Sequence, residues 1–261
     1  MLLMLAALAL FAPWIAPFDP LAQVSMSFEP MSAKHLLGTD ELGRDILSRV
    51  LFGFRLSLIA AFGTAILAAV LGVAIGLVAG YFGGWLDAAT MRVLDVVLSV
   101  PAILLAIVLV AVMGGGLIPL IIAIAIVAVP AFARLTRASV LTVKEREYVT
   151  AQRAAGAPSL DIILRTVLPN VLGPAVVQIV ITASTAVLTE SGLNFLGLGV
   201  PPPSPSLGSM LAAGNENLFV SPAYPIIVGL AIAILVASFD TFGAGLQRAY
   251  GAGAGRSGVV A

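Results

Sequence analysis

The sequence predicts an all-α, polytopic membrane protein built as a six-helix transmembrane bundle. Three observations carry that prediction. Of 261 residues, 60% are hydrophobic and 10% are charged, whereas a soluble domain carries about 25% charged residues. Mean hydropathy is +1.11. Apolar windows near the length needed to cross a bilayer, about 20 residues, recur along the chain. Such a composition excludes an ordinary soluble enzyme, a disordered chain and a nucleic-acid binder with a basic face. Thirteen Lys+Arg balance thirteen Asp+Glu, and there is no cysteine. No polyanionic partner is indicated, and disulfide or thiolate chemistry is excluded.

Six windows qualify: residues 2–16, 56–81, 93–112, 117–132, 171–196 and 226–246. The first is short. It lacks the basic lead-in and the small-x-small cleavage site of a signal peptide, so it reads as a first helix without its cytosolic lead-in. Orientation follows the Lys/Arg bias of the loops. With the N-terminus inside, nine basic residues (Arg92, Arg134, Arg137, Lys144, Arg146, Arg153, Arg165, Arg248 and Arg256) lie inside, and four (Lys34, Arg44, Arg49 and Arg55) lie outside. Both termini are therefore expected in the cytoplasm. In the second window Ala68, Gly72, Gly76 and Gly80 recur every four residues. In lipid such a stripe allows close helix approach, either within the chain or against a second copy.

Residues 1–55 form a first unit, a helix plus an outer loop. Within that loop Asp40 or Thr39 can cap a helix starting near Glu41. Leu42, Ile46, Leu47, Val50 and Leu51 then share one face, with Arg44, Asp45, Ser48 and Arg49 on the other. This is the pattern of an amphipathic helix lying at the interface. Residues 56–261 form the core. Its inner loop, about 138–170, reads as helix–Gly–helix. Tyr148, Ala151, Gln152 and Ala155 sit at helical spacing, Gly156 interrupts, and Pro158 or Ser159 restarts. Leu160, Ile163, Leu164, Val167 and Leu168 form an apolar stripe, with Asp161 and Arg165 paired at i,i+4. Pro169 and Asn170 are expected to end this helix. A short cytosolic hairpin of this kind is a surface cap or a docking element for a soluble partner. The outer loop 197–223 contains Pro201, Pro202, Pro203 and Pro205 and no Lys or Arg, so it is semi-rigid.

No G-x-x-x-x-G-K-[ST] occurs, so the chain has no P-loop, and His35 is its one histidine, which excludes H-E-x-x-H zinc chemistry. The G-x-G-x-x-G at 253–258 has no strand before it, and Ser257 lies too close to the chain end for an intramembrane protease. Three ionisable residues fall inside windows, where they are costly and functional by default. Asp95 is expected to pair with Arg92, three residues earlier. Glu190 and Asp240 either line a polar pathway or pair with each other or with backbone groups. No series of acids suggests a proton relay, and no inverted half-repeat suggests a secondary transporter.

Three segments together resemble the permease subunits of ABC importers for dipeptides, oligopeptides and nickel, of the DppC/OppC type. His35 through Asp45 is similar to that family's H-P-L-G-T-D-x-L-G-R-D, with Gly38, Thr39, Asp40, Gly43, Arg44 and Asp45 matching and Leu36 in place of Pro. The inner hairpin is similar to the EAA loop: Ala151, Gly156 and Leu168-Pro169-Asn170 match, while Thr150 and Gln152 depart. Leu193 through Gly199 is similar to L-S-F-L-G-L-G, and Ala244 stands where an Asp is common.

The resemblance implies a type I ABC importer fold, multi-pass in the bacterial inner membrane, moving peptides or a related solute such as a nickel chelate. It implies four kinds of partner: a second homologous permease, two cytosolic ATPase subunits that carry the ATP-Mg, an external solute-binding protein, and the bilayer. No cofactor, metal or catalytic residue is implied for this chain. The hairpin would dock in an ATPase groove. Ala151, Ala155 and Gly156 allow close approach, Arg153 and Arg165 make rim contacts, and Leu160, Ile163 and Leu164 anchor back onto the bundle before Leu168 and Pro169.

Overall fold

A computed structural model describes residues 1–254. The 253–258 glycine pattern therefore lies largely outside the described residues. The described residues are helical apart from their loops. In order they form α1 (Leu2–Leu10), α2 (Ala12–Ile15), α3 (Ile46–Phe82), α4 (Gly84–Ser99), α5 (Ala102–Met113), α6 (Leu117–Val143), α7 (Glu147–Ala154) and α8 (Ser159–Asp161). A π turn (Ile162–Val167) joins α8 to α9 (Leu168–Phe195), and α10 (Leu207–Glu216) and α11 (Ala223–Ala254) follow.

Four stretches are long and apolar enough to cross a bilayer: Ile46–Phe82, Leu117–Val143, Ser159–Phe195 and Ala223–Ala249. The window at 93–112 is divided. Pro101 cannot continue the helix, so α4 and α5 meet at 90°. The first window is also divided, because Phe11 and Pro13 separate α1 from α2. At nine residues α1 spans about 14 Å.

The frame is the seam between α3 and α6, and the small-residue stripe turns out to be an intrachain contact. A Cβ on Gly72 would sit 2.4 Å from Phe132 Cβ. On Gly76 it would sit 2.4 Å from the Ala133 carbonyl oxygen, and on Gly80 2.9 Å from Val140 Cβ. Only glycine lets the two backbones come this close. Lys144 Nζ closes the inner end of the seam by donating to the Gly80 carbonyl at 3.0 Å, a cation on the negative end of α3. The main core gathers side chains of α3, α6, α9 and α11, including Phe54, Leu120, Val187, Tyr224 and Phe239. A smaller cluster of Leu77, Tyr81, Val140, Val149, Ile162 and Val167 joins the hairpin to the bundle.

Two expectations are corrected here. The separate interfacial helix does not form. Gly43 takes φ +72, and a Cβ there would lie 2.1 Å from the Ser25 carbonyl oxygen, so residues 40–45 are turn. Helix α3 starts at Ile46, capped by Asp45 rather than by Asp40 or Thr39. It then runs unbroken through the second window, so the boundary at residue 55 falls inside a helix. Asp95 does not pair with Arg92. It pairs with Arg134 of α6, while Asp87 forks onto Arg137 of the same helix. Both pairs hold α4 against α6, a partnership invisible to local spacing.

The seam makes a sharp prediction. Gly76→Ala should lower the unfolding free energy in detergent by about 1–3 kcal/mol through overpacking. Gly229→Ala, where nothing lies within 4 Å of the added Cβ, should be neutral or stabilising by up to about 1 kcal/mol. Thermal or denaturant midpoints of the two variants check this.

Candidate functional site

Two structured ends and one buried network carry the polar residues. At one end, the segment 17–45 folds into a knot over the start of α3. Asp40 Oδ1 accepts from the backbone N–H of Leu42 and Arg44, each at 2.9 Å, and its Oδ2 accepts from Arg44 Nε at 2.7 Å. Arg49 Nε lies 3.2 Å from that same Oδ2, and Arg49 also donates to the Pro20 carbonyl at 3.0 Å. Thr39 Oγ1 donates to the Met26 carbonyl and accepts from the Glu29 N–H. Asp45 accepts from both the N–H and the hydroxyl of Ser48 at 2.8 Å, while its other oxygen meets His35 Nδ1 at 3.0 Å. His35 stacks on Phe18 with ring centroids 4.9 Å apart.

Arg44, Asp45, Ser48 and Arg49, expected on a solvent face, are therefore buried, and Leu42, expected on the apolar face, is exposed. The physical reason is that the loop itself covers them. Gly38 (φ +79) and Gly43 supply the left-handed turns that fold the loop back. The signature residues thus come together as one charge-paired plug. No group of three or more His, Asp or Glu side chains among the described residues can hold a metal ion.

At the other end lies the hairpin. Gly156 takes φ +81 between α7 and α8, and a Cβ there would meet nothing within 4 Å. Ala151, Ala155 and Gly156 are exposed. The second arm departs from the expected stripe. Leu160 is 66% exposed and Leu164 50%, while Ile162, Ile163 and Val167 are buried. Ile163 anchors as expected; Leu160 and Leu164 do not. The cause is the π turn, which places Ile162 and Val167, five residues apart, on the same face. Leu168 donates to the Ile163 carbonyl, five residues back. This widened turn also lets the helix run through Pro169 instead of ending there.

Arg165 lies 3.6 Å from Asp161, whereas Arg153 sits 5.0 Å over the Tyr81 ring. Gln152, read as a departure, has a role: its Oε1 accepts from Thr166 Oγ1 at 2.9 Å and ties the two arms together. No spacing rule in the sequence points to that contact. Leu164 and Leu168 continue into an apolar groove of about 450 Å³, shared with Leu172 and Val176 on one side and Ile66 and Val70 on the other.

The two intramembrane acids part company. Asp240 is exposed on α11 and accepts from Ser184 Oγ at 2.6 Å. Glu190 is fully enclosed. Its Oε2 accepts from Ser57 at 2.9 Å and Ser191 at 3.2 Å, and its Oε1 accepts from Asn194 Nδ2 at 2.6 Å. The acids do not pair with each other. Ser57, Ser184 and Asn194 are hydrogen-bonding partners of these acids that sequence reasoning missed, since small polar residues within apolar helices give no local signal.

The described residues thus form a helical bundle with spans long enough to cross a membrane, a buried charge-paired plug at one end and an exposed helical hairpin at the other. Comparison with known proteins makes the class definite. Residues 72–252 match the family described as binding-protein-dependent transport system inner membrane component, and the chain belongs to it. It is a multi-pass inner-membrane permease component rather than an enzyme.

Among its relatives, the di/tripeptide transport system permease protein DppC of Pseudomonas aeruginosa is 43% identical over 257 residues, 95% of this chain and 84% of that protein. The dipeptide transport system permease protein DppC of Haemophilus influenzae is 40% identical over 255 residues, 95% and 86%. The glutathione transport system permease protein GsiD of Escherichia coli is 40% identical over 251 residues, 95% and 82%. A structure of the MetNI methionine ABC transporter in an inward-facing conformation superposes with a TM-score of 0.65, at 21% identity, covering 78% of this chain and 97% of that one. That likeness is one of fold.

The plug predicts an asymmetric response. Asp40→Ala strands Arg44 and Arg49 and should cost about 3–5 kcal/mol. Glu41→Ala, at a partly exposed pair with Arg44, should cost less than about 1 kcal/mol. Denaturant unfolding in detergent and protease sensitivity of segment 17–45 check both.

Proposed function

We propose that the chain is one permease subunit of an ATP-driven importer of peptides or a related solute, such as a nickel chelate, and that it forms half of the translocation pathway. The other half is a second, homologous permease. Two cytosolic ATPase subunits carry the ATP-Mg, and an external solute-binding protein delivers the substrate. The observation that carries this reading is the hairpin: Ala151, Ala155, Gly156, Leu160 and Leu164 form an exposed, small-and-apolar surface at the end of an unbroken helix through the bundle. Small residues permit backbone-level docking, and exposed leucines give the docked face its apolar area. Arg153 and Arg165 flank that surface. Leu168 and Pro169 pass the motion into α9.

Helices α3 to α11 make the permease core, and α1, α2 and the plug of residues 17–45 are an accessory unit beside it. The hairpin and the C-terminal end of α11 face the cytoplasm, the side that the nine-to-four basic bias favours. Asp240, the exposed intramembrane acid, lines the pathway, because an uncovered carboxylate facing lipid is disfavoured.

Two experiments test the reading. In proteoliposomes with its ATPase and permease partners, Gly156→Trp should insert normally yet abolish transport, because the indole fills the docking space. Gly156→Ala adds only the local strain of a left-handed residue, about 1–2 kcal/mol, and should retain most transport; full transport by the Trp variant would refute the docking role. Since the chain has no cysteine, single substitutions report sidedness without background. Tyr148→Cys should react with an impermeant maleimide only from the cytoplasmic side, and Met26→Cys only from outside.

A further inference from the structure

We infer that Glu190 and Asn194 are positioning residues that fasten the outer mouth of the chain to α9, so that movement of the inner hairpin is delivered at the opposite end of the molecule. The inference rests on the transport reading above and assigns it a mechanical link that the hairpin alone does not supply.

The helix Ser159–Phe195 is continuous over 37 residues, about 55 Å at 1.5 Å per residue. It begins in the hairpin and ends beneath the proline-rich loop 197–206. In its last turns a single amide touches both worlds. Asn194 Nδ2 donates to Glu190 Oε1 at 2.6 Å and to the Glu190 carbonyl at 3.0 Å. Its Oδ1 accepts from the Val200 N–H at 2.8 Å. The Glu190 backbone carbonyl can only accept and the Val200 N–H can only donate, so the NH₂ side of the amide faces Glu190 and its carbonyl side faces Val200. Glu190 is in turn held by Ser57 of α3 at 2.9 Å. Three side-chain donors from Ser57, Ser191 and Asn194 meet this buried carboxyl, so it is hydrogen-bonded rather than orphaned.

The loop at Gly199 and the first turn of α10 at Gly208 also press closely on α9 beside that amide. A Cβ on Gly199 would lie 2.1 Å from Asn194 Oδ1, and a Cβ on Gly208 would lie 2.1 Å from the Ser191 carbonyl oxygen. The Leu198 N–H donates to the Leu193 carbonyl, and the Gly116 N–H donates to the Gly199 carbonyl, both at 2.9 Å. The proline loop is thus carried by the end of α9 and linked onward to the start of α6. Loop residues Ser204 and Pro205 border a cleft of about 590 Å³, opposite Phe18, Asp19 and Phe52. A shift of α9 against α3 changes this opening.

The test uses the assembled complex of both permeases and the ATPase subunits in nanodiscs, with spin labels on Ser204→Cys and Leu42→Cys. Pulsed distance measurements are made with and without ATP, beside transport and ATP hydrolysis. In the parent chain the distance should shift on ATP binding. Asn194→Ala, Glu190→Leu and Val200→Pro should broaden the distance and make it insensitive to ATP. Transport should fall about tenfold or more, as expected for misplaced machinery, while ATP hydrolysis is retained.

Glu190→Gln, which still offers an acceptor to Asn194, should keep the shift. Val200→Pro removes the loop N–H without altering Ser57, Glu190 or Asn194, so it decides the matter if the other variants fail to assemble. A parent-like shift together with parent-like transport in Val200→Pro overturns the inference. A parent complex that transports while its labels never respond to ATP overturns the inference alone; a parent complex with no ATP-driven transport overturns the transport reading, and the inference with it.

Discussion

The fold depends on the absence of side chains along one seam. Gly72, Gly76 and Gly80 let α3 and α6 meet backbone to backbone, and van der Waals contact replaces the hydrophobic drive that a membrane cannot supply. Everything else is attached to that pair. Asp87 and Asp95 hook α4 onto Arg137 and Arg134 of α6. Helix α9 packs beside α3 and takes α11 with it through the shared core. Lys144 closes the inner end of the seam on the last turn of α3.

Polar groups are then spent at three levels along the bundle. The outer plug satisfies Asp40, Asp45, Arg44 and Arg49 largely from within the segment 17–49. The Glu190 network joins α3 to the end of α9. The hairpin keeps its two arms together through Gln152 and Thr166 and leaves its small residues uncovered. The division leaves one end closed by internal ion pairs, the middle hydrogen-bonded and the hairpin end uncovered.

Much of this was legible in the sequence. The spans at 56–81, 117–132 and 226–246 lie within single helices, 171–196 overruns α9 by one residue, and the glycine stripe is a seam. Gly156 is the hairpin turn, with Ser159 restarting the helix. These features rest on short-range patterns that survive any tertiary context. The misreadings have a common origin. Asp40 looked like a helix cap because it precedes an amphipathic run, but Gly43 and the covering loop turn it into the centre of a knot. Leu160 and Leu164 looked buried because a 3.6-residue period was assumed, and the π turn advances the face by one residue. Pro169 looked like a stop because the widened turn that accommodates it leaves no mark in composition.

The sequence by itself determined that this is a bundle of apolar helices with its charge gathered in a plug and a hairpin, because hydropathy, loop charge and glycine spacing are sums over neighbours in the chain. Only the tertiary structure decided which donor meets which acceptor. Asp95 and Arg134 are 39 residues apart and Ser57 and Glu190 are 133 apart, and hydrogen bonds depend on a few tenths of an ångström and on angle. No one-dimensional pattern encodes that geometry; it arises when the glycine seam sets how closely, and at what height, the helices pass one another.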